Sequence, residues 1–315
     1  MTNIISSLAP VFLLIATGYF LKRSKFLSLQ FWRSSSKLTY YVLFPALLIN
    51  TLAFADLKQE NIQPLVVALG LPVLVIAAIL ALINRETKFD GATFSSIFQG
   101  SIRPNTFVAL AIVITIFDEQ GLVLAAIAIA TLVPLANILS VIVLSQYIKK
   151  NDSTPSKQMI QILTNPLIVA CAIGLSLNMG EINLPLFSQT ILKFTGNAAI
   201  VLGLMSVGSA LEKIQLEKDF APITISSIIK LTIMPFITFL LLKYYQTTDE
   251  LIISVGLIFA ATPSSATGYV MSRELGGDSS LMAKIISFET ILASVTMPSI
   301  FFFVISLVSK SLLMQ

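Results

Sequence analysis

Pro10-Val-Phe-Leu-Leu-Ile-Ala-Thr-Gly18 and Pro166-Leu-Ile-Val-Ala-Cys-Ala-Ile-Gly174 share one spacing, a proline, seven residues and a glycine, at an offset of 156 positions in a chain of 315. Half of such a chain is about 157 residues, so the offset reads as an internal duplication. Later landmarks keep step. Asp90 precedes Pro104 by 14 residues, and Asp249 precedes Pro263 by the same 14.

Composition places both halves in a membrane. Hydrophobic residues make up 56% of the chain and charged residues 11%, with a mean hydropathy of +0.89, far from a soluble domain. Apolar runs long enough to cross about 30 Å of hydrocarbon recur throughout. They fall near 4–21, 38–55, 62–83, 91–117, 121–147, 159–178, 184–211, 222–243, 250–272 and 281–308. Five spans per half is an odd number, which turns the second half upside down relative to the first. The expected fold is therefore all-α, with ten transmembrane helices as two inverted five-helix repeats, 1–148 and 159–315, joined by a short cytoplasmic linker at 149–158.

Loop charge orients this arrangement. The loops after odd-numbered spans carry 14 Lys and Arg, from Lys22 and Arg23 to Arg273 and Lys284, whereas the other side carries Lys58, Lys243 and Lys310. The positive-inside rule then puts both termini outside the cytoplasm. In the first span the positive charges follow the apolar run, the reverse of a cleaved signal peptide. The net charge of +4 is accounted for by loops facing anionic lipid and calls for no nucleic-acid partner. The single cysteine, Cys171, excludes a disulfide within the chain.

The fourth span adds specific wording, Gly100-Ser-Ile-Arg103-Pro104-Asn105-Thr-Phe. It resembles the Arg-x-Asn signature of the auxin efflux carrier family, whose compact bacterial members are known as malate or malonate permeases. Asn165-Pro166-Leu167, Gly208, Lys230-Leu231 followed by Pro235, Ala261-Thr-Pro263 and the stretch Thr290 to Pro298 extend the resemblance along the chain. It implies ten helices with broken, crossing helices 4 and 9, similar to bile-acid sodium symporters. It also implies a bacterial plasma membrane, the inner one. Plant members carry a long hydrophilic central loop, which this chain lacks.

Pro104 and Pro263 lie about 13 residues, roughly 20 Å of helix, into their spans. Proline deletes a backbone donor and clashes with the preceding turn, so both helices are expected to break at mid-depth. Freed backbone groups there persist only in protein or beside a wet cavity. Two symmetric breaks suit a substrate site built from half-helix ends, though independent kinks are the plain alternative. The candidate substrate residues are Arg103, Pro104, Asn105, Pro263, Ser264, Ser265 and Thr267. Hydroxyl groups in spans more often bond their own helix, and Arg103 could instead hold loose carbonyls. Lys193, near a helix end, is expected to snorkel. Lys230 and Glu289 each follow a loop aspartate, Asp219 and Asp278, by 11 residues, so both sit deep. They could form a buried pair or serve coupling, to a proton or a sodium ion.

Enzymatic readings do poorly. The chain has no histidine, which removes the usual triads and histidine metal sites, and it lacks the phosphate-cradling glycine motifs, so no nucleotide drives it. No cofactor is expected. The excess of intramembrane cations favours a small organic anion, a carboxylate, moved by a secondary carrier through alternating access. A passive anion channel and a non-transporting sensor or scaffold are the alternatives. Membrane lipids are the other partner, and a homodimer stays open.

Overall fold

The computed structural model describes residues 2–55, 62–84, 89–147, 160, 164–212 and 216–312. The linker expected at 149–158 lies outside the described residues. What is described is helical, with no β-strand among these residues and one isolated bridge, Pro104 to Ser264. Five helices are long and apolar enough to cross a bilayer, Gln63–Ile83, Gly121–Gln146, Leu186–Ala210, Asp219–Tyr244 and Ser279–Phe302, and three shorter apolar ones accompany them, Thr106–Phe117, Pro166–Met179 and Glu250–Ala261.

In chain order the helices are α1 (Thr2–Arg23), α2 (Leu29–Leu38), α3 (Phe44–Ala53), α4 (Gln63–Ile83), α5 (Gly91–Ile102), α6 (Thr106–Tyr147) and α7 (Pro166–Met179). They continue with α8 (Leu186–Ala210), α9 (Leu216–Ile228), α10 (Met234–Tyr244), α11 (Glu250–Ala261), α12 (Thr267–Leu275) and α13 (Ser279–Leu312). π-Helical turns at Thr39–Leu43 and Ile229–Ile233 join α2 to α3 and α9 to α10. Each turn precedes a proline, Pro45 or Pro235. A proline ring clashes with the carbonyl four residues back, and a wider turn relieves the clash. The replacement bonds run five residues back, from Phe44 N–H to Thr39 O and from Met234 N–H to Ile229 O.

The paired Pro-to-Gly segments land differently. Pro166 opens α7, with Asn165 Oδ1 accepting from the Leu167 and Ile168 N–H groups (2.9 and 3.4 Å), whereas Pro10 lies well inside α1. Their glycines act alike. Gly18 meets the Met205 backbone of α8, and Gly174 meets Ile49 and Leu52 of α3, so a Cβ at either position would collide.

No turn separates the runs near 91–117 and 121–147. The backbone stays helical from Thr106 to Tyr147, 42 residues, or roughly 63 Å if straight, about twice the hydrocarbon thickness. It is not straight. A Cβ at Gly121 would lie 2.5 Å from Val113 Cγ1 and 3.5 Å from its carbonyl oxygen, although eight residues of straight helix span about 12 Å. The helix bends sharply between them, and glycine leaves room for the bend.

Two helix groups result. In one, α1 packs along α8, and α3 packs on α7 and α8. In the other, α4 packs on α6 and α10, α5 on α6, α9 and α13, and α11 on α6, α10 and α4. α6 touches both groups.

Candidate functional site

Both expected breaks are present. Asp90 caps α5, its Oδ1 accepting from Ala92 and Thr93 N–H, both at 3.0 Å. Asp249 caps α11 in the same way, from Leu251 and Ile252 (2.8 and 3.2 Å). Each cap satisfies N–H groups that a helix start leaves without partners. Both helices then run 12 residues and close on one last bond, Arg103 N–H to Gln99 O (3.0 Å) and Thr262 N–H to Ile258 O (3.1 Å). Beyond it each chain is extended, at Arg103 (φ −84°, ψ 118°) and Thr262 (φ −62°, ψ 149°). The two extended stretches meet. Asn105 N–H donates to Pro263 O at 2.9 Å, which satisfies backbone groups that hydrocarbon could not.

The first break holds a cation among neutral groups. Arg103 is 5% exposed. One terminal nitrogen donates to Asn137 Oδ1 (2.7 Å) and Thr267 Oγ1 (2.9 Å), the other to Ser140 Oγ (3.1 Å) and Met271 Sδ (3.5 Å), and Nε has no partner. None of these partners is charged. Asn105 Oδ1 accepts from Val108 N–H (3.2 Å) at the start of α6, while its buried Nδ2 has no partner.

A cavity of about 30 Å³ adjoins Arg103, lined also by Pro104 and Thr106, by Val133, Ala136 and Asn137 of α6, and by Ser265 and Thr267. Tyr40 and Leu167 complete it from the other helix group. Of the expected residues, Arg103, Pro104, Ser265 and Thr267 meet here. Asn105, Pro263 and Ser264 lie beside it at the bridge between the breaks. Ser265 Oγ and Thr267 Oγ1 are 2.9 Å apart, so both bond locally as well as facing the cavity.

The second break is held by charge. Lys230 (1% exposed) donates from Nζ to Ala260 O at 2.8 Å, where α11 ends and carbonyls lack helical partners. Glu289 accepts from Ser226 Oγ and from Ser264 N–H, both at 2.8 Å. Lys230 and Glu289, which the sequence allowed as a buried pair or as coupling groups, hold the same break at two separate points. The reason is that a freed carbonyl and a freed N–H each need a partner more than two charges need to touch. An ion pair does join Lys284 of α13 to Asp219 of α9. Lys193 is exposed on α8, away from the cavity.

Tyr40, Asn137, Ser140 and Ser226 were not singled out in the sequence, although a signal for three of them exists. Tyr40 and Lys230 each occupy the second position of a π turn, five residues before a proline. Asn137 and Ser140, three apart on one helix face, are polar residues within an apolar run. Phe107, directly after the first break, packs its ring on Phe44 (centroids 4.6 Å apart), and a Cβ at Gly203 would fall 2.7 Å from its Cε1. It thus plugs one helix group into the other. Among the described residues no three acidic or Cys side chains gather to hold a metal.

A search of individually characterised proteins finds no match. The profile of the family described as membrane transport protein matches residues 3–301, nearly the whole chain, in keeping with its apolar helices and paired breaks. The chain belongs to the membrane transport protein family, that of the auxin efflux carriers, and is thereby a multi-pass membrane protein of a transporter family.

Proposed function

We propose that the protein is a secondary carrier for a small organic anion, a carboxylate, on ten spans forming two inverted repeats that cross at the breaks. The observation that carries this is Arg103, a buried guanidinium beside a cavity with only neutral partners. A buried charge without a counter-charge is costly, and a carboxylate would supply one with bidentate geometry. The equal caps and equal 12-residue half-helices support the repeat. A cavity of about 30 Å³ has room for one or two water molecules, so a carboxylate enters only when its walls part. Those walls belong to two helix groups, and their relative motion is the alternating access.

Purified protein in liposomes tests this. Saturable carboxylate flux with counterflow is expected, and its loss in Arg103→Gln and Asn105→Ala with the fold retained. Flux that never saturates would instead favour a channel, and unchanged flux in both variants would overturn the site. Coupling to a proton or a sodium ion is assigned to Glu289, with Lys230 beside it. Glu289→Gln is expected to retain exchange and lose gradient-driven accumulation. The membrane proposed is the bacterial plasma membrane with both termini outside, on the loop-charge bias. A tag at Gln315 reachable only from the cytoplasm would contradict that.

A further inference from the structure

Among the described residues lining the cavity, Arg103 is the one charged side chain. The polar remainder includes Tyr40, Asn137 and Thr267, and Val133 and Leu167 are apolar. Lys230 spends its charge on Ala260 O, and Glu289 spends its own on Ser226 and Ser264. We infer that this site accepts one negative charge, from a monocarboxylate or the singly protonated form of a dicarboxylate, and rejects the doubly ionised dicarboxylate. The inference rests on the anion reading above and narrows it.

Charge balance carries the argument. One carboxylate neutralises the guanidinium and can reach the unpartnered Nε. A second would lie against neutral wall, polar at Tyr40 and Ser265 and apolar at Val133 and Leu167, with no cation to meet it, and an unpaired buried charge is strongly disfavoured. Helix dipoles do not make up the difference. The N-termini of α6 and α12 converge on the breaks together with the C-termini of α5 and α11, and partial charges of about +0.5 and −0.5 offset one another. A loaded site of net zero charge also crosses hydrocarbon at lower cost than a charged one. Around Arg103 the π turn presents Tyr40, α6 presents Asn137 and Ser140, and α12 presents Thr267 and Met271. Lys230 and Glu289 attend the other break.

The test is calorimetric titration of the purified protein with chain-length-matched acids: propionate, butyrate and hexanoate against malonate, succinate and adipate. The pH is scanned across the second ionisation of each dicarboxylate. Expressing each dicarboxylate affinity relative to its matched monocarboxylate at the same pH cancels titration of the protein itself. Only the competent fraction binds, so this ratio is expected to fall about tenfold per pH unit above the second ionisation. Arg103→Gln is expected to lose at least tenfold in monocarboxylate affinity, and Arg103→Lys to keep most of it. A ratio flat with pH, with dicarboxylates bound fully ionised, would overturn the single-charge site while leaving the anion reading in place. Failure of every acid at every pH would overturn both.

Discussion

The two breaks match in backbone and differ in electrostatics. Arg103-Pro104-Asn105 and Thr262-Pro263-Ser264 stand 159 positions apart, follow identical 12-residue half-helices and meet through one backbone hydrogen bond. At the first, the cation belongs to the break itself and finds only neutral partners. At the second, the equivalent residue Thr262 turns its hydroxyl back onto Phe259 O (2.9 Å). Lys230 and Glu289 come in from other helices to hold the loose ends. The groups attending the breaks do not obey the repeat: Tyr40 and Lys230, which play like parts on their π turns, are 190 residues apart. The two breaks share a backbone plan, yet one is electrostatically satisfied and the other incomplete, and the incomplete one adjoins the cavity.

Substitutions can break that comparison. The largest effect is expected from Glu289→Leu, which leaves Ser264 N–H unmet and Lys230 without a nearby anion. Removing one member of a buried charged set costs about 3–5 kcal/mol, to be read as a large drop in thermal unfolding temperature in detergent. Arg103→Gln is expected to do the opposite kind of damage, abolishing transport while leaving unfolding within about 1 kcal/mol of the parent or raising it, since the charge has no ionic partner to lose. Equal destabilisation by the two changes would mean that the breaks are not electrostatically distinct.

A smaller effect concerns the plug between the helix groups. Gly203→Val crowds the Phe107 ring and is expected to cost about 1–3 kcal/mol, as overpacking does, and to slow exchange because Phe107 directly follows the first break. Exchange at the parental rate with normal folding would show that the plug takes no part in the motion.

The smallest effects test the likeness of the two halves. Asp90→Ala and Asp249→Ala each remove a helix cap worth about 1 kcal/mol, and nearly equal losses are expected from chemical denaturation. Thr93, through its backbone N–H and then its hydroxyl, with further help from Ala92, holds the Asp90 carboxyl below the usual aspartate range. Its folded pKa is the lower one. The cap's electrostatic part is therefore present above the unfolded aspartate pKa and lost as pH falls toward the folded one. Asp90→Asn is expected to flatten that acid dependence.

The sequence by itself determined the membrane class, the pairing of the breaks and the residues at them. Composition sets the solvent, and an aspartate 14 residues before the proline sets where each broken helix starts; the proline alone does not set the break, since Pro10 and Pro134 lie inside helices. These are local rules, legible without neighbours. Only the tertiary structure decided what each charge would touch. Lys230 and Glu289 look like a pair in sequence because both are buried and opposite in sign, yet each is nearer to a backbone group that the break exposes. Arg103 is found in the sequence, but its neutral partners on α6 and α12 are not, because nothing local says which distant polar residues will face it. Tyr40 and Leu167 reach the cavity only because the second helix group closes against the first. Long-range packing makes that choice, and the same packing turns the continuous 42-residue helix at Gly121, between the two apolar runs.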